Sequence, residues 1–447
     1  MFPNPQDAIP LPPRPSLEQY RKLAKDLVKA CQSGHPGAIG DRVGRWLESL
    51  FRSRGETPMA QVQMRIDRAM GQIEEFAVRT LAAGNRTCVL ADAQFVIARS
   101  HGFASWPKLA AHIDGLAHSA SETADFEAAA DAIVAGDEAT LSRLLRANPA
   151  LIHARSTREH HATLLHYVSA NGVESYRQRT PKNAARIAEL LLELGAVVDA
   201  EADVYGGGCT TLGLVATSAH PRSAGVQNAL MEILIDRGAE IERPGLAGNR
   251  HGAIMACLAN GCPEAAKFLA ERGARLGLEE AAGIGRIEAV KSFFDEAGEP
   301  HGGVTDRLIG SAFRYACFYG RTAVAEYLAD RGADLDGHDG DGQTGAHYAA
   351  MGGQLETLQV LLKRRSPLEA RNEYGGTVLG QAVWSAAHGG DPAIFIPIIE
   401  MLIAAGANHA ERHPPVNVQV DAVLERYGSV SDDSLSWYGE IPRRREA

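Results

Sequence analysis

The sequence predicts an all-α solenoid: a stack of about eight helix-pair units preceded by an N-terminal helical module. Three observations predict it. A Leu-rich helix ending in Gly-Ala recurs along the chain, a Thr-initiated segment precedes several of these helices, and their spacing is close to the ~33 residues of one such unit.

The helix ends come first. Leu190 to Leu194 runs into Gly195-Ala196, and Leu234 to Arg237 into Gly238-Ala239. Phe268 to Arg272 runs into Gly273-Ala274, Tyr327 to Arg331 into Gly332-Ala333, and Met401 to Ala405 into Gly406-Ala407. A helix stops most easily on a residue in the left-handed region, which Gly adopts without a Cβ penalty. The Ala that follows is small enough for close packing of the next unit. The Gly-Ala pairs at 238 and 273 lie 35 residues apart. The longer interval from 273 to 332 predicts a cryptic unit ending near Ala297-Gly298, with its second helix at Val290 to Phe294. Arg365-Ser366 stands in for Gly-Ala in one unit, and a first unit spans Phe126 to Pro149.

Ahead of these helices stand Thr163-Leu164-Leu165-His166-Tyr167 and Thr344-Gly345-Ala346-His347-Tyr348. Thr210 to Ala216 and Thr377 to Ala382 are degraded copies. In each, Thr begins the first helix and the following apolar residue enters the core. The His can tie neighbouring turns through hydrogen bonds. This pattern resembles the T-P-L-H motif of the ankyrin repeat. The likeness to a group of bacterial ankyrin-repeat proteins extends over most of the chain. It is carried by Ala91 to Arg99, Gly102 to Trp106, Tyr205 to Gly208, Thr211 to Ser218, His220-Pro221 and Tyr374 to Gln381. The resemblance implies an ankyrin-repeat fold and a bacterial origin, and no chemistry.

Three units are longer than the consensus. Polar insertions at Val173 to Thr180, Ser218 to Val226 and Ser385 to Pro392 read as loops between the two helices of repeats 2, 3 and 8. Thr180-Pro181 reads as a helix start. Residues 1–120 lack the repeat. Helices are predicted there at Leu17 to Val28, Met59 to Leu81, Val89 to Ser100 and Trp106 to Ile113. They are expected to form a helical module that covers the open apolar end of the first repeat, as arrays require, with a separate functional domain as the alternative. The array occupies 121–410. Residues 411–447 supply a terminal helix at Val420 to Tyr427 and a polar tail.

Charge narrows the function classes. The net charge is -10, from 45 Lys and Arg against 55 Asp and Glu. The first 120 residues carry roughly +4 and the remainder about -14. An acidic array without a basic stripe argues against nucleic acid. Absence of an apolar run of about 18 residues argues against a membrane span, and no secretion signal opens the chain, so a soluble, cytoplasmic protein is expected; a monomer is expected as well. The six cysteines (31, 88, 209, 257, 262, 317) are scattered and read as reduced core residues. No cofactor or metal site is expected, since adjacent His160 and His161 point apart.

Candidate site residues fall in or beside the long loops. Tyr205-Gly206-Gly207-Gly208 reads as a finger turn, with an anion cradle of backbone N–H groups as the alternative. His166 and His347 hold the motif position and read as structural. Tyr176, Arg177, His220, Gln227 and His251, with His160, His161 and Glu174 nearby, are not explained by the motif. Tyr374, Gln381 and Trp384 form a second group. The leading function is a scaffold binding an unidentified protein partner through its concave face. The alternative is a small-molecule binder or enzyme with a pocket built by the loops of repeats 2, 3 and 8.

Overall fold

The computed structural model describes residues 4, 7–35, 37–54, 60–81, 88–118, 121–243, 252–410 and 412–435. The fold is an all-α repeat solenoid, and its contacts divide the chain into two compact units, Met1–Phe268 and Leu269–Ala447. Among the described residues no helix is long and apolar enough to cross a membrane.

The first unit opens with five helices: α1 (Leu17–Gln32), α2 (Ala38–Ser53), α3 (Ala60–Leu81), α4 (Leu90–Ser100) and α5 (Trp106–Ala117). Ser16 caps α1, its side chain accepting from the Gln19 amide. The apolar faces meet in one core that includes Leu23, Leu27, Val43, Leu47, Ile73, Val96, Ile97 and Phe103. Helix α2 is absent from the sequence reading. Its apolar residues recur at 39, 43, 46, 47 and 50, but Gly40 and Gly44 weaken the local helical preference. Tertiary burial of that face outweighs the weakness. His101 closes the module at its centre. Its Nδ1 lies 3.1 Å from the Ile9 carbonyl, which only accepts, so Nδ1 donates. Nε2 then accepts from the Tyr20 hydroxyl at 2.8 Å, and burial pushes the imidazole down to about 3.

The cysteine expectation fails in this module. Cys31 and Cys88 form a disulfide, their Cα atoms 6.3 Å apart, whereas Cys209, Cys257, Cys262 and Cys317 are free. Scattered spacing says nothing about which helix ends the fold brings together.

Repeats follow as helix pairs in the same unit. The first is α6 (Glu122–Ala135) with α7 (Glu138–Ala147). The second pairs a 3-10 turn at Leu164–Ser169 with α8 (Ala184–Glu193). The third pairs α9 (Thr211–Ala216) with α11 (Gln227–Asp236), with the short α10 (Ala219–Ser223) between them. Then come α12 (Ala253–Ala259) and α13 (Pro263–Glu271), the last three residues of α13 belonging to the second unit. Two predicted loops therefore hold helical turns: Ser175–Arg177 is a 3-10 turn, and α10 occupies part of 218–226. The start of α8 also moves, with Asn183 and not Thr180 at its N-cap.

The second unit is built from α14 (Leu278–Ile284) with α15 (Ile287–Lys291), α16 (Asp306–Phe318) with α17 (Thr322–Asp330), α18 (Gly345–Met351) with α19 (Leu355–Lys363), and α20 (Val378–Ala387) with α21 (Pro392–Ala404). Helix α22 (Val418–Arg426) follows them, where the sequence indicates a terminal helix. The cryptic unit is real, but its second helix stops at Lys291, one turn before the predicted end, and a turn closes it around Gly298. Helix α20 likewise runs through Ser385, shortening the expected loop. The core includes Leu278, Phe313, Ala346, Leu358, Leu379, Ile398 and Leu402.

The repeated helix end works as its sequence suggests. Gly195, Gly238, Gly273, Gly332 and Gly406 all have positive φ, between 88° and 98°. The next Ala amide reaches back to close each helix: Ala196 to the Leu191 carbonyl, Ala333 to Leu328 and Ala407 to Leu402, at 2.9–3.0 Å. Arg365 takes the same place with φ 61°, a conformation that opposes its Cβ. Arg365→Gly is therefore expected to stabilise the protein by about 1 kcal/mol, read as an upward shift in the urea midpoint. An unchanged or lower midpoint would show that the arginine side chain offsets the strain.

Candidate functional site

The finger turns between repeats interlock through the motif histidines. Thr163 and His166 form a capping box at the Leu164–Ser169 turn, and Thr344 and His347 form one at α18. His166 Nδ1 accepts from the Thr163 amide at 3.1 Å, which leaves Nε2 to donate to the Cys209 carbonyl of the following finger at 3.3 Å. His347 does the same, from the Thr344 amide to the Gly376 carbonyl, at 3.3 and 3.2 Å. A backbone bond joins each finger pair beside this bridge: Asp203 N–H to the His160 carbonyl, 2.8 Å, and Glu373 N–H to the Asp341 carbonyl, 2.9 Å. Burial pushes the His166 imidazole down to about 4. Both histidines are structural ties between fingers.

Tyr205 and Tyr374 sit at the tips of two such fingers, one in each unit. The strands β1 (Glu201–Ala202) and β2 (Cys209–Thr210) pair antiparallel, so Tyr205 to Gly208 is the turn of a hairpin. Tyr205, Gly206, Gly207 and Gly208 all have positive φ, which only a Gly-rich segment sustains. Tyr205 is 53% exposed, and its hydroxyl donates to Asn171 Oδ1 at 2.6 Å. Tyr374 is 71% exposed. Its amide and that of Gly376 both donate to Asn372 Oδ1, at 3.1 and 2.8 Å, so one Asn side chain sets the turn. Asp334, Asp336, Asp341, Glu369 and Glu373 are exposed on this finger and its neighbour, as is Arg371.

The remaining sequence candidates have other surroundings. Gln227 is buried, and its amide donates to the carbonyls of Val215, Ala216 and Ser218 at 2.9–3.2 Å. It ties down the inter-helix segment of its own repeat and has no N–H left for a ligand. His220 is exposed on α10. Gln381 is buried, reaching Ser385 Oγ at 3.3 Å, while Trp384 is 39% exposed and stacks on His388 with ring centroids 4.1 Å apart. His251 lies outside the described residues.

Tyr176, Arg177, Glu174 and His160 do meet, in a buried ion-pair cluster of the first unit. Helix α6 presents Glu127 and Asp131 one turn apart on the same face. The finger 155–163 supplies Arg158 and His160, and the Ser175–Arg177 turn supplies the rest. Arg158 pairs with Glu127 and, at 3.0 Å, with Glu174; Arg177 pairs with Glu127 at 2.9 Å, Asp131 at 2.7 Å and Glu174 at 3.5 Å. His160 Nε2 lies 3.4 Å from Glu174, and Arg158 Nη2 donates to the Tyr176 hydroxyl at 3.2 Å. Burial raises the Glu127 carboxyl, but Arg158 and Arg177 outweigh it and hold the group down at about 2. Glu174 is held well below the usual range by the same two guanidiniums, again against the effect of burial. Burial pushes the Tyr176 hydroxyl up to about 12.

The arginines and carboxylates of that cluster pair with one another, so it fixes conformation. It also anchors the N-terminal module: Arg158 lies 5.3 Å over the Phe103 ring, Glu159 N–H donates to the Gly102 carbonyl at 2.9 Å, and His112 Nδ1 is 2.7 Å from Thr157 Oγ1. Sequence reasoning passed over Glu127, Asp131 and Arg158. The signal was present in Phe126-Glu127-Ala128-Ala129-Ala130-Asp131-Ala132-Ile133, where two carboxylates one turn apart interrupt an apolar helix.

Stacked helix pairs, interlocked fingers and exposed finger tips define a repeat scaffold. Comparison with known proteins agrees with that class. The family model described as "Ankyrin repeats (many copies)" matches residues 313–362 and 346–403, about a fifth of the chain and all within the second unit. The curated mouse protein "Protein fem-1 homolog A-like" is 36% identical over 76 residues, which is 17% of this chain and 12% of that protein. The match thus spans a small part of the mouse protein's length.

Proposed function

We propose that the protein is a binding scaffold that docks a protein partner through its finger tips and the adjoining first helices, with residues 1–120 capping the first repeat. The observation that carries this reading is the pair of exposed tyrosines on turns held by glycines, Asn372 and the finger interlocks. A rigid, exposed aromatic loses little entropy on binding and is a common interface anchor. The five exposed carboxylates on the Tyr374 finger and its neighbour favour a partner segment rich in Lys and Arg, whose cations also suit the tyrosine face. The pocket reading is weaker, because Arg177, Tyr176 and Gln227 already have intramolecular partners.

Native mass spectrometry of the protein purified gently from its own cells tests this. A stoichiometric added mass of kilodaltons supports the scaffold. An adduct of only a few hundred daltons returns the pocket reading. With the partner in hand, Tyr374→Ala is expected to weaken binding by about 30-fold. The melting curve should stay unchanged, because the ring is exposed. Unaltered affinity in both Tyr374→Ala and Tyr205→Ala would rule out the finger tips as the interface.

A further inference from the structure

We propose that Cys31 and Cys88 form a reversible thiol–disulfide site for small thiols of the glutathione class, and that its oxidation state sets the stability of the N-terminal module. The bond joins the last turn of α1 to the residue two positions ahead of α4, closing a sequence separation of 57 residues. Both cysteines are half-buried, unlike Cys257, Cys262 and Cys317, which are buried, so a small thiol can approach the sulfurs. The segment has partners that outlast the bond. Gln32 Nε2 donates to the Cys88 carbonyl at 3.3 Å, and Cys31 Sγ lies 3.6 Å from the Leu81 carbonyl, where a thiol would donate. The buried residues of the module core lie among the helices; Cys31 packs only at its margin, half-buried, and Cys88 is not part of it. Reduction therefore releases a constraint on the unfolded chain without dismantling the folded module. That is the behaviour of a reversible site.

The exchange balances. In oxidation, one cysteine thiolate attacks a sulfur of glutathione disulfide, forming a mixed disulfide and expelling one glutathione thiolate. The second cysteine thiolate then attacks the protein sulfur and expels the other. Two electrons pass from the protein thiols to glutathione disulfide, and the two cysteine protons end on two reduced glutathiones. Reduction is the reverse.

The test equilibrates the full chain, under native conditions, in buffers from excess reduced to excess oxidised glutathione. Thiols are then alkylated and mapped by peptide mass spectrometry, and melting is followed in each buffer. The expected result is paired loss and recovery of alkylation at Cys31 and Cys88. The oxidised form should melt about 10 °C above the reduced form, the constraint expected of a loop this long. Cys31→Ser should stop at a mixed disulfide on Cys88, and the Cys31→Ser/Cys88→Ser protein should melt like reduced wild type in every buffer. Thiols that stay alkylatable in oxidised glutathione overturn the proposal. So do a bond that resists reduced glutathione and a melting point indifferent to the buffer.

Discussion

Glu174→Ala is expected to destabilise the protein by about 3–5 kcal/mol, the range for removing one partner of a buried ion pair. Glu174 is fully buried and sits between two guanidiniums that are themselves buried. Deleting its carboxylate leaves Arg158 and Arg177 to share Glu127, with the exposed Asp131 at the edge. Neither arginine can shed its charge, so the loss appears as instability and not as a shifted titration. Glu174→Gln keeps the shape and the hydrogen-bonding oxygen, and should fall between wild type and alanine. Urea denaturation monitored by circular dichroism decides the point. A loss below about 1 kcal/mol would mean that water screens the cluster, and its role in seating the finger 155–163 would fall with it.

The second large effect is acid sensitivity. His101 is pushed down to about 3 chiefly by burial, and His112 and His166 to about 4 for the same principal reason. These imidazoles are neutral in the folded protein, whereas the unfolded chain binds protons below about pH 6.5. Stability is thus undiminished above pH 6.5 and falls as pH drops from there towards 4. At pH 5 each histidine contributes a loss of about 2 kcal/mol. The depressed carboxyls of Glu127 and Glu174 have the same sign but act lower, as pH falls from 4.5 towards the folded value. The urea midpoint should therefore drop steeply between pH 7 and pH 5, and less steeply in His101→Asn. A midpoint that is flat over that interval would show the three rings titrating in the folded state.

How much of this was legible in the sequence depends on whether the signal was local. The Gly-Ala helix ends and the Thr-x-x-His boxes each act within a few residues. Gly332 must adopt its left-handed φ, and Thr344 must accept the His347 amide, wherever the segment lies. Repetition of such local signals reveals an all-α repeat fold from composition and spacing alone. Where the local signal was weak, in α2 with its two glycines and in α15, ending one turn early, boundaries or whole helices were lost.

The candidate site divides the same way. The finger tips at Tyr205 and Tyr374 are readable because glycine runs mark their own turn. Gln227 and Arg177 looked equally available for a ligand, since a polar residue in a long loop carries no mark of which way it faces. The packed chain directs Gln227 onto three carbonyls of its own repeat, and Arg177 onto carboxylates 46 to 50 positions earlier. By itself the sequence determined the repeat, its helix ends and its finger turns, because backbone conformation there follows from neighbouring residues. Only the tertiary structure decided which charges are buried together and which two cysteines meet. Those outcomes depend on distances between segments far apart in the chain, set by how apolar faces pack.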